Sequence, residues 1–343
     1  MNENLPPPDQ LSSLPEGFLG IPKRMRRNRT NSAWRALATE NRLHKEQLVY
    51  PLFVTEEKKA SPIKSLPGIS RLPLKALLQE IEEAASLGIQ AINLFAHIDE
   101  KKKDAAGSEA YHPGATLYTA IRTIKAEFPE ILLMADIALD PFTDHGFDGL
   151  LDEKGRVLND PTLVALAHMS LQAAEAGVDL ISPSDMMDGR VGFLRHILDT
   201  HGFSHVGILS YAVKFASSLY APFRDALQST PKKGDKKTFQ LNPANSREAL
   251  IECSFDEQEG ADMLLIKPGL PSLDIIAKVR SQTSLPLGAY QVSGEYAMIK
   301  AAAEKGFLNE EEVFLESLLA MRRAGADFIF TYAAKQVVRL LSI

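Results

Sequence analysis

Lys214 and Lys267 are the residues from which chemistry can be built in this 343-residue chain. Each stands just past an apolar run, HVGILSYAV (205–213) and the LLI of ADMLLIKP (261–268). One lysine in such a place reads as a surface residue with a packed stem. Two at the ends of neighbouring strands read differently, because lysine is rarely buried without a partner. In a desolvated pocket, burial and a neighbouring like charge both disfavour the ammonium and lower its pKa. A neutral amine can attack a carbonyl carbon and form a Schiff base. On residue types alone this is a Schiff-base enzyme, an aldolase or a dehydratase.

Other candidates follow the same runs. Tyr290 and Ser293 in YQVSGEY and Tyr332 in FTYAAK end the last two. Hydroxyls there suit a carboxylate or a polarised carbonyl, although each alone is also an ordinary structural hydroxyl. A long segment, 225–241, follows the Lys214 run and contains STPKKGDKKTFQ. It reads as a lid, or as a solvated charge run; with Arg224 at its start it could close over an anionic substrate. The stretch ADIALDPFTDHGFDG places Asp136, Asp140, Asp144 and Asp148 every fourth residue. That spacing suits a helix face, but Pro141 blocks a continuing helix, and Gly146 and Gly149 suit turns. The stretch is therefore a strand end carrying Asp136, then a loop. Asp140 and Asp148 are expected at the site mouth, balancing the lysines and aiding proton transfer, and Asp144 in solvent.

These residues need a scaffold, and the pattern supplies one. Eight short apolar runs (48–54, 91–97, 131–139, 178–184, 205–213, 261–268, 285–292 and 326–333) alternate with amphipathic stretches such as LKALLQEIEEAASLG and NEEEVFLESLLAMRRAG. Continuous runs flanked by turn signals suit strands buried on both faces. A junction recurs in SLGIQAINLF, EAGVDLISP, EGADMLLIK and RAGADFIFT: a helix end, a glycine, a strand. Eight such units favour a (β/α)8 TIM barrel, whose active site lies at the carboxyl ends of the strands. No glycine-rich dinucleotide fingerprint follows any strand, and EEKKASPIKSLPG after the first is no phosphate cradle.

Residues 1–45 differ from the barrel at 46–343. They carry Pro6–Pro8 and the basic cluster KRMRRNRTNSAWR. They read either as a solvated tail or as an arm that docks on another subunit through Trp34 and Phe18–Leu19. A formal charge of −6 argues against nucleic acid or an anionic membrane as partner. No apolar run reaches a membrane span, and the N-terminus lacks a secretory layout, so a cytoplasmic location is expected. The single cysteine, Cys253, excludes an intramolecular disulfide and reads as a packed helix thiol.

The motifs ALDPFTDHGFDG, ISPSDMMDGRVG, SYAVKFASSLYAPFRDA, TFQLNPANSREAL, EGADMLLIKPGLPSLDI, YQVSGEYAMI and RAGADFIFTYAAK resemble the porphobilinogen synthase (5-aminolevulinate dehydratase) family. The resemblance runs from about residue 20 to the C-terminus, with motif order preserved. It implies a (β/α)8 barrel with an N-terminal arm embracing a neighbour, usually in a homo-octamer. It also implies a lyase reaction: condensation of two 5-aminolevulinate molecules to porphobilinogen in tetrapyrrole (haem, chlorophyll, cobalamin) synthesis. Lys267 is then the Schiff-base residue for the first-bound substrate and Lys214 for the second. Ser293 and Tyr332 hold the first carboxylate; Arg224, Lys236 and Gln240 hold the second substrate.

Two metal expectations accompany the resemblance. Some members bind zinc through three cysteines, where this chain has Ala138, Asp140 and Asp148; alanine cannot ligate, so no catalytic zinc is expected. Aspartate is a hard oxygen ligand, which leaves a magnesium or hydrated cation open there. An allosteric magnesium in the family goes with a glutamate followed four residues later by an aspartate, here Glu252 and Asp256, with Asp256 in the outer sphere. That spacing equally describes a solvated acidic helix face. The arginines from Arg24 to Arg27 are a candidate interface partner. The loop FAHIDEKKKDAAGSEAY departs from the family pattern, and His97 within it reads as local structure. The competing readings are a class I aldolase, which needs one imine lysine, and a degenerate barrel kept as a binding protein.

Overall fold

The computed structural model describes residues 23–341. Its centre is a closed barrel of eight parallel strands: β1 (Leu48–Thr55), β2 (Ala91–His97), β3 (Leu132–Ile137), β4 (Leu180–Pro183), β5 (Gly207–Lys214), β6 (Met263–Lys267), β7 (Leu287–Gln291) and β8 (Phe328–Thr331). Each strand pairs with the next, and β8 closes on β1 through Leu48↔Ile329 and Val49↔Phe330. All eight residues of β1 are buried, which is why it reads as an unbroken apolar run. The strands are shorter than the runs. The third stops at Ile137, where the chain leaves the sheet for the aspartate loop.

Helices surround the barrel: α1 (Leu74–Ser86), α2 (Thr116–Glu127), α3 (Asn159–Glu175), α4 (Arg190–Thr200), α5 (Ala221–Leu227), α6 (Ser246–Gln258), α7 (Leu273–Arg280), α8 (Ser293–Glu304), α9 (Glu310–Ala324) and α10 (Ala334–Leu341). In α1, Leu77, Ile81 and Ala84 form the buried stripe, at the three- and four-residue spacing of one helix face. At the foot of α9, Asn309 accepts from the Glu311 and Glu312 amides, and Gly325 ends the helix at φ 117, a conformation that costs glycine little.

Three connections depart from expectation. The segment expected as a lid loop begins as helix, since α5 runs to Leu227 before the chain opens. Two helices, α8 and α9, fill the β7–β8 connection. After β1 the chain makes a small hairpin, Ser61–Pro62 antiparallel to Ser70–Leu72. Its second strand lies parallel to β1, with Phe53 opposite Arg71. Among the described residues no helix is long and apolar enough to cross a membrane.

Contacts divide the chain after Arg42. In the first unit, residues 23–42 form a 3-10 turn, Met25–Arg29, and a short helix, Ser32–Leu37. Asn31 caps that helix by accepting from the Trp34 amide at 3.0 Å. The proline triplet and Phe18–Leu19 lie outside the described residues.

Candidate active site

The two lysines are direct neighbours across the sheet. On β5 and β6, Ser210 stands opposite Leu264, but three residues later Val213 stands opposite Ile266 and Lys214 opposite Lys267. One extra residue on β5 therefore shifts the pairing by one position. Without it Lys214 would face Pro268. Both lysines are buried, at 6% and 3% exposure.

Their surroundings differ. Lys214 Nζ is 3.1 Å from Asp148 Oδ1 and donates to the Ser184 carbonyl just past β4. Lys236, from the lid, lies 2.6 Å from Asp148 Oδ2 and 3.2 Å from Asp140 Oδ2. Lys214 and Lys236 thus share Asp148, and Lys236 also pairs with Asp140. Lys267 has no ion pair among the described residues. Its Nζ stands 4.8 Å from the ring centres of Tyr220, Phe223 and Tyr290, and 5.5 Å from that of Tyr211.

The charge states follow. Burial, and then the Lys214 ammonium, push Lys267 down to about 7, against a weaker pull from Asp136, Asp140 and Asp148. Burial opposes ionisation of Asp148, but Lys214 and Lys236 outweigh it and hold the carboxyl below its usual value. Burial also opposes the Lys236 ammonium, and Asp140 and Asp148 outweigh it, so its pKa is raised. Asp136, inside β3, is pushed up to about 7 by burial and by the Asp140 charge. The site therefore holds an amine and a carboxyl that both exchange protons near neutrality, beside the ion pairs of Lys214 and Lys236.

Asp140 and Asp148 reach this position on the β3–α3 loop, which folds against the lid. Gly146 has φ +77, and a Cβ there would come within 2.8 Å of the Thr230 carbonyl oxygen. The Lys232 amide donates to His145 O at 3.2 Å. Asp144 is exposed.

The remaining expected residues fall around the same centre. Asp140, Lys214, Tyr220, Phe223, Arg224, Lys236, Gln240 and Lys267 line one cavity. Arg224 has no ion pair among the described residues. Gln240 is 4% exposed and its Oε1 has no hydrogen-bond partner. An unpaired cation and an orphaned buried amide oxygen are the features of a site that awaits a polar ligand. Tyr290 and Tyr332 are buried, with their hydroxyls 3.0 Å apart. Ser293 opens α8; its hydroxyl accepts from the Phe223 amide at 3.0 Å and donates to Leu219 O at 3.1 Å. The backbone leading into the lid, at Leu219 and Phe223, thus holds the serine expected to bind a carboxylate.

The metal expectations meet a mixed geometry. Among the described residues no three His, Cys, Asp or Glu side chains converge on a metal position. Ala138, with Asp140 and Asp148 already paired to ammonium groups, is a donor set that does not suit zinc. On α6, Asp256 turns inward: it is 2% exposed, receives Arg190 at 3.1 Å and accepts from Ser210 Oγ at 2.5 Å. It is a structural anion, which leaves Glu252 as the carboxylate of the pair available to a cation. Glu252 is half-buried and unpaired among the described residues. Burial raises its pKa, and the Asp256, Asp188 and Glu248 charges add to that against the pull of Arg190. Such negative crowding suits a hydrated magnesium, which needs only one or two carboxylates.

Several residues at the centre had drawn no role from the sequence. Asp136 was placed on its strand, yet a charged residue inside ILLMADIAL was itself a signal. Ser184, Asp185 and Arg190 stood in ISPSDMMDGRVG without assignment. Arg190, 2% exposed, ties Asp256 to Ser210 and the Tyr211 carbonyl. Tyr211, Tyr220 and Phe223, whose rings surround Lys267, carry no assignment from the sequence either. His97 is local structure, with Nδ1 3.0 Å from Thr55 Oγ1. Cys253 is buried, and burial raises its thiol.

Residues 22–340 match the family model described as delta-aminolevulinic acid dehydratase. The chloroplastic delta-aminolevulinic acid dehydratase of Glycine max is 46% identical over 346 residues, covering 98% of this chain and 84% of that protein. The chloroplastic delta-aminolevulinic acid dehydratase 1 of Arabidopsis thaliana is 48% identical over 324 residues, covering 94% and 75%. A solved structure from Toxoplasma gondii ME49, of delta-aminolevulinic acid dehydratase (porphobilinogen synthase) with the reaction product porphobilinogen, superposes with a TM-score of 0.93. It is 50% identical and covers 94% of this chain and 92% of that chain. The chloroplastic names overturn the expected cytoplasmic location. That expectation rested on the lack of a secretory layout and of a membrane span, neither of which bears on a plastid.

Proposed function

This chain belongs to the delta-aminolevulinic acid dehydratase family, and on that premise we propose how its residues divide the condensation of two 5-aminolevulinate molecules into porphobilinogen. The reaction forms one carbon–carbon and one carbon–nitrogen link and releases two waters. The observation that carries the assignment is Lys267, an amine with a pKa near 7 beside a register-paired second lysine.

Lys267 Nζ attacks the ketone carbon of the first substrate; the carbonyl oxygen takes up two protons and leaves as water, and an imine remains. Ser293 and Tyr332, with Tyr290 behind, anchor that substrate's carboxylate. Lys214 forms the corresponding imine with the second substrate. Asp148, 3.1 Å from its Nζ, is placed to accept the proton that Lys214 must lose. Asp136 and Asp140 serve the later proton transfers, Asp136 because its pKa lies near neutrality. Arg224 and Lys236 take the second carboxylate through charge-assisted bonds, and Gln240 adds a polar contact. Holding two small molecules in one pocket replaces a collision in solution by an oriented step. The lid keeps water from imines that would hydrolyse.

Around this chemistry we place the molecule in a plastid, as a homo-octamer in which residues 1–45 pack on a neighbour. Glu252 would hold a hydrated magnesium, with Asp256 fixing the helix beneath it through Arg190. The ion would supply positive charge to the carboxylates around Glu252 and would take no part in bond making.

The test is direct. Incubation with 5-aminolevulinate yields a pyrrole detected colorimetrically, and borohydride reduction leaves an adduct on Lys267. A class I aldolase would leave one adduct and no pyrrole; a binding protein, neither. No pyrrole together with no adduct at Lys267 sinks the assignment.

A further inference from the structure

The helix α5 is seven residues long, too short to hold itself helical in water. It nevertheless carries Phe223 against Lys267 and Arg224 at the cavity wall. Its last four carbonyls have no partner within the helix. The Ser229 amide reaches Arg224 O at 3.0 Å and the Gln228 amide reaches Asp225 O at 3.3 Å, in a turn that holds Gln228 at φ 50.

Two cations from distant parts of the chain take the rest. Arg71, on the hairpin strand beside β1, donates through Nε to Ala226 O at 2.6 Å and through Nη2 to Asp225 O at 2.7 Å. Lys103, on the β2–α2 connection, donates to Leu227 O at 3.2 Å and Gln228 O at 2.8 Å. The Lys103 side chain is 1% exposed. Ser65 adds a bond to the Asp225 carboxylate at 2.5 Å. Every free carbonyl at the end of α5 is thus bound, and the negative end of the helix dipole faces two positive groups. These cations touch neither the lysines nor the aspartates of the site.

We propose that Arg71 and Lys103 are positioning residues for the condensation: they latch the carboxyl end of α5 to the rims of β1 and β2 and so fix where Arg224 stands over the second substrate. The inference rests on the role of Arg224 given above. Losing the latch should weaken binding of the second substrate more than it slows chemistry.

The experiment uses the full chain with Arg71→Met, Arg71→Lys, Lys103→Met, Lys103→Arg and, as reference, Arg224→Met. Steady-state pyrrole formation gives KM and kcat. Trypsin nicking at Lys232, Lys233 and Lys237 reports whether the lid stands open, and thermal melting reports the fold. Both methionine variants should raise KM for 5-aminolevulinate about tenfold or more, with a smaller fall in kcat and faster nicking. Arg71→Lys and Lys103→Arg should recover part of the loss. If a methionine variant does not fold, the charge-keeping variant carries the test, because Arg71→Lys lacks the planar fork that reaches Asp225 O and Ala226 O together and should still raise KM. An unchanged KM in the Arg71 and Lys103 variants while Arg224→Met raises it overturns the latch alone. An unchanged KM in Arg224→Met overturns the placement of the second substrate, and the latch with it. Loss of activity that only tracks loss of folded protein, with no faster nicking, also overturns it.

Discussion

Lys214 and Lys267 are the same residue type at paired positions of adjacent strands, and the roles proposed for them separate through their partners. Lys214 pairs with Asp148, whereas Lys267 faces four aromatic rings and makes no ion pair among the described residues. Burial is the larger cause of the lowered Lys267 pKa, and the Lys214 charge is the next. The sign of a test follows: removing Lys214 removes a repulsion and frees Asp148 to attract, and both effects favour the Lys267 ammonium. In Lys214→Met the pH midpoint for borohydride trapping at Lys267 should therefore move upward from near 7, measured by peptide mapping over a pH series. A midpoint that stays or falls would show that the Lys214 charge does not act on Lys267. The pair was legible in the sequence as two lysines after two apolar runs. Their unequal partners were not, because Asp148 and Lys236 come from loops 66 residues before and 22 residues after Lys214.

At the scale of elements, the site is an assembly of strand ends and one docked lid. The lid enters through the 3-10 turn Ser218–Tyr220, which sits directly on the start of α8. A Cβ on Gly294 would come within 2.5 Å of Leu219 O and 2.6 Å of Leu219 Cα. Both are backbone atoms, so no side-chain rotation relieves the clash. Gly294→Ala should push residues 219–223 away from α8, break the two Ser293 hydrogen bonds and move Phe223 off Lys267. An activity loss of about a hundredfold is expected for a displacement near 1 Å, with a smaller effect on melting temperature. Wild-type kcat/KM in a folded Gly294→Ala variant would mean that this contact does not set the lid. The helix–glycine–strand junctions made the barrel readable, since each signal is local. The segment 225–241 reads from the sequence as a lid or a solvated charge run, and its helical start escapes that reading because the bonds from Arg71 and Lys103 to the end of α5 come from distant segments.

At the scale of the molecule, the assembly and its ions are where expectation reaches beyond the barrel. The proposed octamer and magnesium predict a linked response. Millimolar magnesium should stimulate pyrrole formation and hold the largest species in sedimentation, and Glu252→Gln should blunt both. Removing residues 1–42 should shift the population to smaller species. A flat magnesium titration, or an unchanged size distribution on truncation, would refute the corresponding part. A tight zinc chelator should leave activity intact; loss restored only by zinc would refute the reading of Ala138, Asp140 and Asp148. Organelle fractionation tests the proposed plastid location, and recovery of the protein outside plastids would refute it.

What the sequence determined by itself was whatever depends on residue type and short-range order. Apolar runs with glycine junctions specify strands and helices, and family motifs in preserved order specify the reaction. Pro141 and the glycines around it were enough to deny ADIALDPFTDHGFDG a helix. Tertiary structure decided which charges meet. The extra residue on β5 places Lys214 opposite Lys267, folding turns Asp256 inward onto Arg190, and two distant cations meet the carbonyls at the end of α5. Coulombic pairing and burial depend on distances between segments far apart in the chain, and those distances exist only once the barrel has closed.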